Sequence, residues 1–564
     1  MQKKFYLILF ISVFFFSEAF CQKFKLKIKG DSKHETAVID SLGYLKEHVD
    51  VSSVEFEIKN ILNTLYNIGY IESEVKHIKK VDATTFQYHI NLKKKFNFIY
   101  IYYKQSDIDA ASLKSVSNQV FNNYFILGFS EIKDALKVIN TKISKKGFPF
   151  SKLKLSNISI KDSINLKANL TTNFTKTKRT IDNIVIKGYS EFPKSYIKHF
   201  LKIKTKQIFD INTIKNKTNA LNSLSFADEI KPPEVLFTKD STTLYLYLKK
   251  SKSNTFDGFL GFGTNEETNT LEFDGYLNLN LINNLNFGEA FSLLYKSDEN
   301  SQKTFKADIT IPYLLNSPIG VDLFLKIFKK DSSFTTINQS ARLHYQINSK
   351  NKIYGGLTTT ESNNLLKEET RLPIVDYKTK YFNTAYLYIK PEIDNLLFPI
   401  NTRLYIETEF GNRKTTNNNE KQSQYTIDVF NIFKLNSKNS FYIRGNGSNL
   451  ISDSYFENEL LRFGGINSIR GFEENSLFAT LFATLNTEYR LKLNNSIFIH
   501  SIIDAGYFEN KILKSKEKLF SYGFGFGVLT KAGLLKFNYA NGKNENTPFK
   551  LSNSKIHLSL TANF

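Results

Sequence analysis

From about Thr255 to the end of the chain, apolar and polar residues alternate in segment after segment, and this pattern limits the fold more than any other feature. Stretches such as TLEFDGYLNLNL, TFKADITIPYL, VDLFLKIFKK, FNTAYLYIKPE, TRLYIETEFGN, YTIDVFNIFKL and SIFIHSIIDAGYF each place apolar side chains on one strand face and polar ones on the other. About sixteen such segments of near ten residues fill roughly 310 residues, the dyad signature of a transmembrane antiparallel β-barrel with an even number of strands. An aromatic share of 14% in a chain with 23% charged residues suits a sheet whose two faces meet different solvents. In SYGFGFGV, Tyr522, Phe524 and Phe526 are expected to face lipid, and Gly523, Gly525 and Gly527 a crowded lumen. A glycine-rich phosphate loop is the competing reading of GFGFG and GFLGFG, but no Lys-Ser pair and no helix follows either one.

The N-terminal segment 1–21 has the parts of a secretory signal: Lys3 and Lys4, an apolar run from Phe5 to Phe16, and the small-x-small exit Ala19-Phe20-Cys21. About twelve apolar residues are too few to cross a bilayer as a helix. Cleavage is expected near Cys21. A lipid anchor on Cys21 is the alternative, which Glu18 and Phe20 fit poorly. After cleavage the chain would hold no cysteine, and so no disulfide or thiolate metal site. No later apolar run reaches the roughly eighteen residues of a membrane helix.

Residues 23–250 repeat weakly. KFKLKIKG, FNFIYIYY and IDNIVIKGY each open a unit as a strand, followed by helical pattern and then two strands. In the first helix Ile58, Leu62, Leu65 and Ile68 recur at helical spacing as one apolar face, and Gly69 and Gly147 stand where helix C-caps favour positive φ. The third unit departs: its helix, 213–226, lacks the Gly-aromatic end, and Pro232-Pro233 reads as a break before its final strands. Units of β-α-α-β-β type and about 70–85 residues can each bury a small core. They resemble POTRA (polypeptide-transport-associated) domains, with expected boundaries 22–94, 95–178 and 179–252, ahead of a barrel at 253–564. That resemblance implies modules that bind substrates or partners through a free sheet edge.

Between the eleventh and twelfth barrel segments lies RFGGINSIRGFEEN, an arginine among glycines and apolar residues. Strand alternation places Glu488 and Arg490 on one face opposite Tyr489, and Asp504 inward on the neighbouring strand with Gly506. An arginine carried by the loop could then meet two carboxylates in the lumen, a task its fork geometry suits better than lysine's point charge. Gly464, Gly465 and Gly471 would let the loop backbone turn and lie against the wall. The bland alternative is an ordinary surface loop with a solvated arginine.

GGINSIRGF, with Phe472 closing the motif, resembles the signature of the inward-folding loop in the BamA/TamA outer-membrane assembly superfamily. Thr487-Glu488-Tyr489-Arg490 and Asp504-Ala505-Gly506 follow in matching order. Three POTRA-like units on a sixteen-stranded barrel look most like the TamA branch. The terminal strand carries Ile556, Leu558, Leu560, Ala562 and Phe564 on one face, similar to the C-terminal aromatic assembly signal of bacterial outer-membrane proteins. The resemblance implies a barrel in the bacterial outer membrane with its modules in the periplasm, unfolded outer-membrane or secreted proteins as clients, and a periplasmic or inner-membrane partner for the modules. It also implies a gate at the seam of the first and last strands, where TFDGFLGFG is weakened by Gly258, Gly261 and Gly263.

The net charge of +22 is spread among asparagines rather than gathered, which fits contact with anionic lipid headgroups better than nucleic acid. The eight histidines have no ligand spacing, and no nucleophile elbow or HExxH occurs. No catalytic residue, metal or cofactor is expected, and no enzyme. The expected function is insertion or export of client proteins through a laterally gated barrel. The alternatives are a two-partner-secretion-type export pore, which would favour two modules and an N-terminal plug helix, and a passive channel or receptor.

Overall fold

The computed structural model describes residues 23–173, 177–264, 271–297, 302–366, 373–392, 395–530, 533–545, 550–551 and 554–563, with backbone alone at 259–264, 271–275 and 558–563. The expected signal segment, Cys21 and Phe564 lie outside these residues, as do the side chains of Leu558, Leu560 and Ala562. The chain divides into two compact units, one running to Thr180 with Ile208–Asp210, the other taking Ile181–Gln207 and Ile211–Phe564.

The first unit holds two α+β modules. In module one, β1 (Phe24–Lys29), β2 (Glu47–His48), β3 (Glu74–Lys80) and β4 (Thr85–Asn91) form a sheet in the order β2-β1-β4-β3, covered by α1 (Lys33–Ser41) and α2 (Val51–Asn67). Asp50 caps α2 by accepting from the Ser53 N–H at 2.7 Å. Its buried stripe is Val54, Ile58, Ile61 and Leu65, so Leu62 and Ile68 flank the core rather than centre it. In module two, β5 (Phe98–Tyr102), β6 (Tyr124–Gly128), β7 (Lys152–Ile160) and β8 (Asn165–Asn173) are ordered β6-β5-β8-β7, with α3 (Ala110–Lys114) and α4 (Ile132–Lys145). Both modules carry one strand more than β-α-α-β-β. The extra strand, β2 or β6, pairs with the opening strand and is too short for its period to stand out.

The second unit begins with a third module, β9 (Asn183–Lys187), α5 (Ile211–Thr218), β10 (Ala227–Phe237) and β11 (Thr242–Lys250), in the sheet order β10-β11-β9. Helical structure ends sooner than the sequence pattern implies: α5 gives way to a 3-10 turn at Asn219–Ser223. Pro232-Pro233 does not break the strand. Both prolines sit inside β10, where the register shifts between Lys231 and Glu234, and an edge strand tolerates the missing donors.

The barrel rises from β12 (Thr255–Thr264) through β13 (Leu271–Ile282), β14 (Ala290–Ser297), β15 (Gln302–Ile311), β16 (Ile319–Lys330), β17 (Phe334–Gln346), β18 (Asn351–Asn364), β19 (Tyr377–Pro391), β20 (Ile400–Lys414), β21 (Asn419–Lys434) and β22 (Asn439–Ile451). A loop bearing the small hairpin β23 (Leu461–Phe463) and β24 (Leu477–Ala479) follows. β25 (Leu481–Lys492), β26 (Ile497–Asn510), β27 (Ser515–Leu529), β28 (Leu534–Asn544) and β29 (Ser554–Asn563) complete a closed circle of sixteen antiparallel strands. Outward positions are apolar and exposed, among them Leu357, Phe382, Phe410, Ile503, Tyr522 and Phe524, while Asp322, Arg342, His344, Arg403 and Asp428 pair on the inside. No helix among the described residues is long and apolar enough to cross a membrane.

Module three packs on the near rim of the barrel. The Tyr196 hydroxyl donates to the Gly288 carbonyl at 3.1 Å, the Asn283 amide donates to the Tyr189 hydroxyl at 2.7 Å, and the Tyr196 and Tyr313 rings meet edge-on at 4.9 Å. Burial holds the His199 imidazole below its ordinary pKa, and its Nε2 lies 2.8 Å from the Asn316 carbonyl. These contacts identify the turns at 283–289 and 312–318 as the near rim. The 452–480 loop therefore starts from the far rim and folds inward.

Candidate functional site

The loop descends because its own residues make a hydrophobic foot. Ile469, fully buried, packs with Phe463, Ala479, Phe482, Phe508 and Leu519, and Phe472 leans on the same cluster. Gly465 (φ +90°) and Gly471 (φ +82°) hold left-handed conformations, and a Cβ on Gly471 would strike the β28 backbone at Asn541–Gly542. Gly464 is likewise left-handed at φ +108°. Wall side chains catch the loop backbone: Asn486 donates to the Ser468 carbonyl at 2.7 Å and Arg444 to the Asn467 carbonyl at 2.8 Å.

Arg470 sits at the bottom of this descent. Its Nε and Nη2 donate to the two oxygens of Asp504 at 2.8 and 2.6 Å, its own N–H adds a third bond to Asp504 at 3.1 Å, and Nη1 donates to Glu488. Arg470, Glu488 and Asp504 are 5%, 7% and 2% exposed, so one cation faces two carboxylates out of bulk water. Arg490, which sequence reasoning placed on the right face without a role, supplies the second cation. Its Nε donates to Glu488 at 2.7 Å while its guanidinium lies over Tyr442 at 4.1 Å and Phe398 at 4.5 Å. The pairs Arg470–Asp504 and Arg490–Glu488 leave the cluster neutral, the condition under which buried charges are tolerable.

A second clasp near the far rim was not read from the sequence. Arg413 on β20, 1% exposed, donates to Glu459 of the loop, to Glu420 at 2.5 Å, and to the Ser454 hydroxyl at 2.6 Å. Here polarity is reversed: the wall provides the arginine and the loop the acid. Alternation places Arg413 inward, but Glu459 lies in an aperiodic 3-10 turn, where sequence spacing carries no directional signal. Lys330 on β16 adds a bond to Glu457 at 2.7 Å.

The seam presents the opposite condition. Among the described residues, β12 meets β29 only where Thr255 faces Asn563 and Phe256 faces Ala562. On its other side β12 pairs with β13 over its whole length, including Gly258 opposite Leu277, Gly261 opposite Asp274 and Gly263 opposite Glu272. Ile556 on β29 is outward and exposed.

Of the eight histidines, His77 and His89 stack at 4.6 Å in module one; no group of three His, Cys, Asp or Glu that could hold a metal occurs among the described residues.

Comparison with known proteins bears on this arrangement. The Omp85 superfamily domain matches residues 277–564, and the surface antigen variable number repeat, a POTRA family, matches residues 179–250. Among solved structures, BamA from Haemophilus ducreyi lacking POTRA domains 1-3 aligns with a TM-score of 0.50 at 14% identity, covering 82% of this chain and 99% of that one. CdiB from Acinetobacter baumannii aligns at 0.51 with 15% identity, covering 83% and 90%, and CdiB from Escherichia coli at 0.53 with 12% identity, covering 90% and 98%. These identities establish likeness of fold. No curated protein matches by sequence.

Proposed function

The chain belongs to the Omp85 superfamily, and from that membership we propose that it folds client proteins into the outer membrane by lending them the edge of its own barrel at the β12–β29 seam. The barrel sits in the bacterial outer membrane with the POTRA modules in the periplasm, and proteins of this superfamily insert or export other proteins there.

The observation that carries the reading is the short seam. Backbone groups left unpaired in hydrocarbon cost several kcal/mol each, so a strand edge that meets its neighbour at two positions is one that an incoming strand can complete. The loop supports the same reading: pinned to β25 and β26 through Arg470 and to β20 through Arg413, it holds that part of the wall fixed while the seam changes partners. A passive channel would need an open lumen. A secretion pore would need the loop to leave it, against three sets of buried or half-buried ion pairs. The modules would receive unfolded clients and periplasmic or inner-membrane partners along their sheet edges, and the cationic surface would rest near anionic headgroups.

The test is reconstitution. Liposomes carrying the full chain should speed the appearance of heat-resistant, folded barrels from denatured outer-membrane β-barrel clients, relative to protein-free liposomes. Equal rates would contradict insertion. Passage of a client into the liposome interior without its insertion would favour export.

A further inference from the structure

Below the loop hairpin lies a cavity of about 370 Å³ whose lining carries four cations against the two carboxylates of Glu459 and Glu474. Lys296 on β14, Lys306 on β15 and Lys326 on β16 reach it from the wall, and Arg462 on β23 from the loop. Lys306 and Lys326 are direct cross-strand partners, a like-charge juxtaposition that costs stability unless something offsets it. Among the described residues no acid pairs with either lysine, although Glu459 and Glu474 line the same cavity. Glu457 and Glu459 are taken by Lys330 and Arg413, and among the described residues none of the three lysines has a carboxylate within ion-pair distance. The Arg462 guanidinium is held between the rings of Phe478 at 4.3 Å, Phe328 at 5.1 Å and Phe334 at 5.2 Å, yet its buried Nη1 and Nη2 have no hydrogen-bond partner. Buried polar nitrogens are almost always satisfied, so an aromatic-clamped guanidinium with two free ends, facing a cavity, marks a missing acceptor.

We propose that this cavity binds a polyvalent oxyanion of the phosphate class, held between Lys306 and Lys326 on the wall and Arg462 on the loop. A phosphate group carries close to two negative charges and three strong acceptor oxygens, which matches cations converging from wall and loop. Thr336 and Asn338, on the adjoining strand, add neutral donors to the same lining. Bound there, the anion joins the loop hairpin to β15 and β16, fastening the loop on the side of the lumen away from Arg470. The shared chemistry is a phosphoryl group, whether free or carried on a small sugar such as those of envelope glycolipids.

The experiment uses the full chain in a nonionic detergent, with ionic strength held constant by sodium chloride. Its thermal midpoint is followed while inorganic phosphate or glucose 1-phosphate is added. The expected result is a saturable rise, with the half-effect concentration about tenfold or more higher in Lys326→Met, the consequence of losing a charge-assisted bond. Without phosphate, Lys326→Met should match or exceed the unmodified protein, because the facing Lys306 is relieved. Lys306→Met provides the same test should Lys326→Met fail to fold. Saturation by inorganic phosphate identifies the free ion as sufficient, and saturation by the sugar phosphate alone identifies a carried group. A rise that never saturates, or one identical in the variants, reflects a general salt effect and overturns the site.

Discussion

Between β22 and β26 the barrel wall is held twice. Its ladders run from Asn439 opposite Leu491 to Asn449 opposite Leu481, and from Leu481 opposite Glu509 to Lys492 opposite Phe498. Inside, Arg470 ties the loop to β25 through Glu488 and to β26 through Asp504. Even the gap in the second ladder at Glu488 and Tyr489 is filled, the Tyr489 N–H donating to the Ser501 hydroxyl at 3.0 Å. Between β29 and β12 the wall is held, among the described residues, at Thr255 and Phe256 alone. The loop reaches that side through Lys555 and Glu473, a bond of 2.8 Å whose partners are 38% and 52% exposed. One circle of strands thus has a sector held by long ladders and buried charge and a sector held, among the described residues, by a short ladder. The contrast lies in ladder length and buried charge, since both sectors are made of ordinary alternating strands.

Perturbations of the two sectors should therefore differ in kind. Removing Phe564, at the end of the weak sector, is expected to lower the folded protein in the membrane sharply while export from the cytoplasm continues; fractionation and immunoblotting check this. Arg470→Ala strands the buried Asp504 carboxylate and leaves Glu488 to Arg490 alone, and should cost about 3–5 kcal/mol, read as lost heat resistance on electrophoresis. Combining it with neutralised Glu488 and Asp504 should cost less than the sum of the separate changes, and strict additivity would break the clasp. Glu459→Gln should cost less, about 1.5–3 kcal/mol, because Arg413 keeps Glu420 and Ser454. Lys555→Ala should cost under about 1 kcal/mol, as exposed pairs do, and a larger loss would mean the loop also braces the seam.

Much of this was written in the sequence for a simple reason. A period of two fixes which face each side chain takes, so the sixteen strands, the inward Glu488 and Asp504 and the loop between the eleventh and twelfth strands followed from counting. What did not follow lacks a period. Strands β2 and β6 are two and five residues long, Glu459 lies in an irregular turn, and the prolines of β10 are tolerated because of sheet position, which spacing does not encode. The extent of a ladder is also invisible in one strand. The glycines of β12 pointed to a weak strand, yet its pairing with β13 is complete, and the deficit lies wholly on the β29 side.

The central claim is that the seam parts during function while the clasped sector does not. It can be tested in one reconstituted assay with two disulfides, each joining positions that face each other across a ladder: Phe256→Cys with Ala562→Cys at the seam, and Ile443→Cys with Thr487→Cys between β22 and β25. With Cys21 replaced by serine, the introduced thiols are the only ones in the chain. Oxidation should stop client folding in the seam variant and reduction should restore it, while the control variant works in both states. Full activity from a barrel demonstrably crosslinked at the seam would contradict the account.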